Sequence, residues 1–242
     1  VDAKTALHHA NPRLCGTNLQ WVDGGDGLMP AGEAFDQDFL NKIKELAPTV
    51  IRYPGGSNSD VYQWRTGVGP QGSRGRSEHF HRKEKQVVRL GTPEFLSLCE
   101  LLNAEPLITV NVATGTAKDA GDWVREINVS GVKSQKTGKN FKPVGFWEIG
   151  NEPYLKEDVR PETWASPHEY AKRANAAIIA MRGADPSILV GLPLRSDSFN
   201  GLPVTPHQGF NEQVLKGIQQ KFDFVTLHNA YLPFVYDRNP QD

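Results

Sequence analysis

Hydrophobic residues fall into two alternating rhythms along this chain. Short apolar runs of strand length recur between segments whose apolar residues return every three or four positions, the helical spacing. The runs are "LCGTNLQW" (Leu14 to Trp21), "TVIRYPGG" (Thr49 to Gly56), "EPLITVNVATGT" (Glu105 to Thr116), "PVGFWEIGNE" (Pro143 to Glu152), "SILVGLPL" (Ser187 to Leu194) and "FDFVTLHNAY" (Phe222 to Tyr231). Between them stand "FDQDFLNKIKELA" (Phe35 to Ala47), with Phe35, Phe39, Ile43 and Leu46 on one face, and "EFLSLCELLNA", with Thr92 as cap and Pro93 as first helical residue. "AKDAGDWVREIN" (Ala117 to Asn128), the Ala-rich stretch Ser166 to Ala184 and "NEQVLKGIQQ" (Asn211 to Gln220) complete five predicted helices between six predicted strands. The stretch between Gly56 and Thr92 reads as one long polar loop.

Strands that are apolar on both faces and alternate with helices predict a parallel sheet covered by helices. An open doubly wound sheet and a (β/α) barrel both satisfy that pattern. A doubly wound nucleotide fold calls for a Gly-rich phosphate loop, but "RYPGGSNS" lacks the G-x-G-x-x-G spacing and the chain has no Walker motif. Polar residues instead follow several different strands: Arg52, Asn111, Asn151 with Glu152, and His228. Sites assembled from many strand ends are the habit of barrels, which favours the barrel.

Composition narrows the function classes. The 242 residues suffice for one large domain or two small ones. A net charge of -1 supplies no bulk field for nucleic acid, and no apolar run has the length of a membrane span. The basic segment Gly72 to Arg89 is interrupted by Glu78 and Glu84 and reads as a solvated loop forming one wall of the cleft. Cys15 and Cys99 make neither a disulfide framework nor a metal site and read as buried free thiols. His8, His9, His79 and His81 lack companions at a metal-ligand spacing, so no metal is expected. Residue 1 is Val and no leader is visible, which suggests a processed or shortened chain and a lean towards a secreted or periplasmic protein.

The candidate chemistry lies in "GFWEIGNEPYL" (Gly145 to Leu155). Pro153 cannot donate to a strand ladder, so the strand is expected to stop there, with Glu152 at the barrel mouth. Such a carboxyl, partly buried, suits a general acid. In a regular strand Glu148 shares its face but lies about 13 Å away, too far for the pair of a retaining glycosidase. Glu148 therefore reads as a buried structural carboxylate in the lower barrel. The bland alternative for Glu152 is a carboxylate bonded to loop amides.

"WEIGNEP" resembles the fourth-strand signature of clan A glycoside hydrolases. "IRYPGGSNSDVYQWRTGVGP" and "GTPEFLSLCELLNAEPLITVNVATGTAKDAGDWVREIN" are similar to glycoside hydrolase family 51, the α-L-arabinofuranosidases, in order from about Gly16 to Tyr231. The resemblance implies a (β/α)8 barrel and a retaining double displacement on arabinose-containing or related plant polysaccharides. Glu152 would be the acid/base and Asn151 would bond the sugar 2-hydroxyl. Arg52 would sit near the catalytic carboxylates, and Asn111, His228 and Tyr231 would line the pocket. Trp64 and Trp147 have weaker claims as sugar platforms, since aromatics are more often core. The first strand offers Gln20 where the family shows a Glu. "GGSN" stands for Gly-Gly-Asn, so either Ser57 replaces that Asn or Asn58 supplies it. No cofactor is implied.

The family's nucleophile is a Glu ending the seventh strand, whereas six strands are readable here. Residues 1–242 are accordingly expected to be an incomplete barrel domain without its C-terminal part or accessory β-sandwich. A second polypeptide or symmetry mate would complete it; failing that, Asp60 or Asp197 would have to serve as nucleophile. The competing reading is a non-catalytic carbohydrate-binding relic or an inactive fragment.

Overall fold

The structure, a computed structural model, describes residues 11–30, 34–134, 136–156, 158–195 and 209–228. Its strands are β1 (Gly16–Asn18), β2 (Val50–Tyr53), β3 (Arg76–Glu78), β4 (Lys85–Val87), β5 (Glu105–Val110), β6 (Phe146–Ile149), β7 (Leu189–Arg195) and β8 (Phe224–His228). Six of them form one parallel sheet in the order β1-β2-β5-β6-β7-β8, and β3 and β4 pair as a separate antiparallel hairpin. Each predicted strand coincides with one member of the parallel sheet, β7 running one residue further, to Arg195. Spatial order follows chain order throughout, whereas a doubly wound sheet reverses at a switch point. The sheet is part of a (β/α)8 barrel.

A kinked turn, α1 (Val22–Asp26), follows β1. The helices between the parallel strands are α2 (Gln37–Leu46), α3 (Thr92–Leu102), α4 (Ala117–Val124), α5 (Pro167–Ala184) and α6 (Phe210–Gly217). Their starts follow from side chains that satisfy open backbone N–H groups. Asp36 accepts from Phe39, Thr116 from Asp119, and Ser166 from Glu169 ahead of Pro167. In α3 the cap is Gly91 rather than the expected Thr92. The Glu94 carboxylate accepts the Gly91 N–H at 2.9 Å, while the Thr92 hydroxyl accepts from the Trp123 indole at 3.1 Å. The predicted helix over 117–128 changes pitch at Arg125 and continues as a π-helical turn to Gly131. That turn sets Asn128 to bond both the N–H and the C=O of Val144.

Residue parity divides the sheet into two faces. Tyr53 stacks on Phe95 of α3 with ring centroids 4.6 Å apart, and Trp147 meets Trp123 of α4 edge-on at 6.0 Å. Ile51, Ile108, Val110 and Ile149 are buried with them, and this apolar layer holds helices to sheet. The opposite parity carries Asn18, Arg52, Thr109 and Glu148, with Asn18 in register with Arg52 and Thr109 in register with Glu148. Polar residues on the inner face are what a site needs and a core does not.

Among the described strands β1 and β8 form the edges. All three residues of β1 are exposed, and Val225 and Leu227 of β8 are 43% and 53% exposed. Cys15, beside that first edge, is exposed, which corrects the expectation of a buried thiol; Cys99 is buried. The stretch read as one polar loop contains the β3–β4 hairpin. Arg74 fastens it to α3 through two parallel bonds to Glu94, 2.8 and 2.9 Å long, with the Arg74 side chain fully buried. The same guanidinium donates to the carbonyls of Gly69, Val88 and Arg89.

Candidate active site

The strand carrying Glu152 ends earlier than its sequence suggests. β6 stops at Ile149, and Gly150 and Glu152 both take positive φ, 79° and 38°. Gly150 adopts that geometry without a Cβ penalty; at Glu152 it costs about 1–3 kcal/mol. Strain of this kind persists where surrounding contacts over-determine it, and here they do. The Asn151 N–H meets the Asp60 carboxylate at 3.4 Å, and the Asn151 side-chain carbonyl accepts from Arg52 at 3.0 Å.

The chain's turn brings Glu148 and Glu152 to one imidazole. His228 Nε2 lies 3.4 Å from Glu148 Oε1, and His228 Nδ1 lies 3.2 Å from Glu152 Oε1. The regular-strand expectation that put Glu148 low in the barrel and about 13 Å away is therefore corrected. Its expected burial holds: the Glu148 side chain is fully buried. It accepts from Arg52 Nε at 2.7 Å, Thr109 Oγ1 at 2.6 Å and Thr226 Oγ1 at 2.6 Å. Arg52 also donates to Asn18 at 2.9 Å, so one guanidinium ties β1, β2, β6 and the Asn151 turn together. Tyr154, buried just after the turn, hydrogen-bonds Glu152.

Charge follows from these contacts. Burial alone would raise the Glu148 carboxyl, but the Arg52 charge and the bonds from His228 and Thr109 outweigh it and bring it to about 2. Burial would lower His228, yet its bonds to Glu148 and Glu152 and the Glu148 charge carry it up to about 9, against Arg52. Asp60 moves the other way. Buried, and with Glu152 nearby, its carboxyl is pushed well above the usual range despite the Asn151 bonds and Arg52. At neutral pH the site thus holds an ionised Glu148 and a cationic His228, beside an Asp60 whose proton is held more tightly than usual.

A stability profile checks this. The His228 value is raised above its ordinary 6.5, so its contribution is full below 6.5 and is lost as pH rises through about 9. We expect the melting temperature to fall across that window, and the fall to be shallower in His228→Asn. A slope unchanged by the substitution would mean the ring is not charged.

The remaining predicted residues divide. Gln20 and Asn58 bond each other, and Asn58, which is buried, also accepts the Phe80 N–H, so its amide is engaged at both ends. Asn111 does not join the carboxylates. Its carbonyl accepts the N–H groups of Ala113, Thr114 and Gly115, closing a turn. With Trp64 it lines a separate cavity of about 270 Å³. Trp64 is stacked on Trp123 and donates to the Asp119 carbonyl; Trp147 is core. Tyr231 and Asp197 lie outside the described residues. Sequence reasoning did not single out Asn18, Thr109, Tyr154 or Thr226. Asn18 and Thr226 stand two residues before Gln20 and His228, so the strand period offered a signal for both. No cluster of three or more His, Cys, Asp or Glu able to hold a metal occurs among the described residues, and no described helix is long and apolar enough to cross a membrane.

A parallel β/α sheet with ionisable groups gathered towards the C-terminal ends of its strands is the arrangement of the (β/α) barrel class. Comparison with known proteins narrows this. The sequence profile of the "Alpha-L-arabinofuranosidase 1 domain" matches residues 42–193, and the chain belongs to that family. It is 34% identical over 160 residues to α-L-arabinofuranosidase C of Emericella nidulans, covering 64% of this chain and 31% of that protein. Against an intracellular exo-α-(1→5)-L-arabinofuranosidase of Acetivibrio thermocellus it is 29% identical over 245 residues, covering 96% and 47%. The glycoside hydrolase family 51 α-L-arabinofuranosidase of Thermotoga petrophila superposes with a TM-score of 0.69 at 25% identity, over 89% of this chain and 45% of that one. A family 51 enzyme from Bifidobacterium longum shares the fold with a TM-score of 0.75 at 24% identity, over 93% and 44%. The chain therefore spans about a third to a half of the relatives it matches, and corresponds to the N-terminal part of a family 51 arabinofuranosidase-like protein.

Proposed function

We propose that this chain supplies the acid/base half of a retaining α-L-arabinofuranosidase, acting on arabinose-bearing plant polysaccharides. The observation that carries the reading is the bridge from Glu148 through His228 to Glu152 at the C-terminal strand ends, with Arg52 and Asn151 beside it. Glu152 gives its proton to the departing glycosidic oxygen as a second carboxylate forms a glycosyl ester. It then takes a proton from the water that cleaves that ester. Asn151, oriented by Arg52 and Asp60, is placed to donate to the sugar 2-hydroxyl, a contact that strengthens in the transition state. Gln20 serves the sugar as a neutral hydrogen-bonding group.

The second carboxylate must stand about 5–5.5 Å from Glu152. Glu148 is committed to Arg52, two threonines and His228, and Asp60 is buried, bonded to the Asn151 N–H and held by burial towards its protonated form. Neither suits a nucleophile, so the reading assigns that role to a Glu outside the described residues, brought by the remaining strands of the barrel.

The test is the stereochemistry of aryl α-L-arabinofuranoside hydrolysis by the full-length protein, followed by proton NMR before mutarotation. The first-formed arabinose should keep the α configuration. A β-configured first product would overturn the double displacement, and sugar binding without turnover would favour the non-catalytic relic.

A further inference from the structure

Glu148 is the most heavily engaged side chain of the site, yet the two-carboxylate scheme gives it no task. Its two oxygens face different ways. Oε2 takes Arg52 and Thr109, on the β2 and β5 side. Oε1 takes Thr226 and His228, on β8. The β7 residue in register with Glu148 is Gly191, so no side chain of β7 stands between them at that level. A counter-ion for Arg52 needs only the first oxygen. The second holds an imidazole whose other nitrogen lies 3.2 Å from the candidate acid/base.

We propose that Glu148 is a positioning residue: it fixes the His228 ring and, through the ring's far nitrogen, the carboxyl of Glu152, without touching substrate. The inference rests on the assignment of Glu152 made above. An imidazole's orientation is set by the bond its second nitrogen makes. With Nε2–H directed to Glu148, Nδ1–H is directed to Glu152. When Glu152 passes its proton to the leaving oxygen, the carboxylate left behind accepts from Nδ1–H. When Glu152 takes a proton from water in the second step, the ring keeps its own. The charged groups facing the ring are Glu148 of β6, Glu152 after β6 and Arg52 of β2. The two carboxylates favour the cation and the arginine opposes it, so removing the Glu148 charge tips the ring towards neutrality.

The experiment uses the full-length protein and Glu148→Gln, which keeps the volume and removes the charge. The His228 titration, read from imaging of its ring nitrogens by NMR, should fall from about 9 towards its ordinary 6.5. The alkaline limb of kcat/KM should fall with it. On a substrate with a poor leaving group kcat should drop about tenfold or more while KM changes little. In a Glu152→Ala background the same substitution should cause no further loss, because it acts through Glu152. An unmoved alkaline limb, or equal losses in both backgrounds, overturns the proposal. Should Glu148→Gln not fold, the wild-type ring decides: both nitrogens protonated at neutral pH supports it and a neutral ring overturns it. Failure of the Glu152 assignment would look different, as a Glu152→Ala enzyme without leaving-group dependence, whatever the ring does.

Discussion

Replacing Glu152 with alanine in the full-length protein should slow arabinosides with poor leaving groups by about 10²–10⁴-fold, the usual worth of a positioned general acid. Aryl arabinofuranosides with acidic phenols leave without a proton, so their first step should slow far less. Their ester intermediate should then accumulate, because water lacks its base. Azide needs no base, and millimolar azide should restore turnover and yield the α-configured glycosyl azide. The split between substrates separates a proton donor from a residue that merely shapes the pocket, since a shape change would slow both alike. Equal losses on both, with no azide product, would remove Glu152 from the acid/base role.

The second large effect concerns stability. Arg74→Ala should cost about 3–5 kcal/mol, because it leaves the Glu94 carboxylate buried without its partner. It also strips donors from the carbonyls of Gly69, Val88 and Arg89. For a protein of this size that is a fall in melting temperature on the order of 10 °C. Arg74→Lys keeps the charge but not the two-pronged geometry, and should recover less than half of the loss. A cost below about 1 kcal/mol for Arg74→Ala would mean the hairpin is held by something else.

What the sequence made legible follows from periodicity. Most of the six parallel strands and five helices announce themselves by apolar residues at a fixed spacing; β1, exposed at all three residues, is read from the apolar run around it. Proline's missing donor placed the end of β6 too late, because the strand stops at Ile149, before Asn-Glu-Pro. Other features carry no such spacing. The β3–β4 strands are three residues each and mostly polar, so they show no alternation. Arg74 and Glu94 are far apart in sequence and meet only in the fold. Glu148 was misplaced because strand geometry was extended through Gly150, although a glycine within a strand pattern is itself a sign of a break. Asn111 follows a strand end as a site residue would, but three backbone N–H groups claim its carbonyl.

The agreement between chain order and sheet order bears on how the protein is made. Each parallel strand leaving the ribosome finds its neighbour already synthesised, so the sheet can grow from one edge as translation proceeds. The polar cluster does not grow so evenly. Arg52 and Thr109 meet Glu148 once β6 is in place, whereas Thr226 and His228 arrive only with β8, the last described strand. Until then Glu148 has partners for one oxygen and none of its β8 donors for the other. A nascent chain can thus possess five of the six described parallel strands while this polar cluster is still unfinished: the cluster closes later in synthesis than the sheet that carries it.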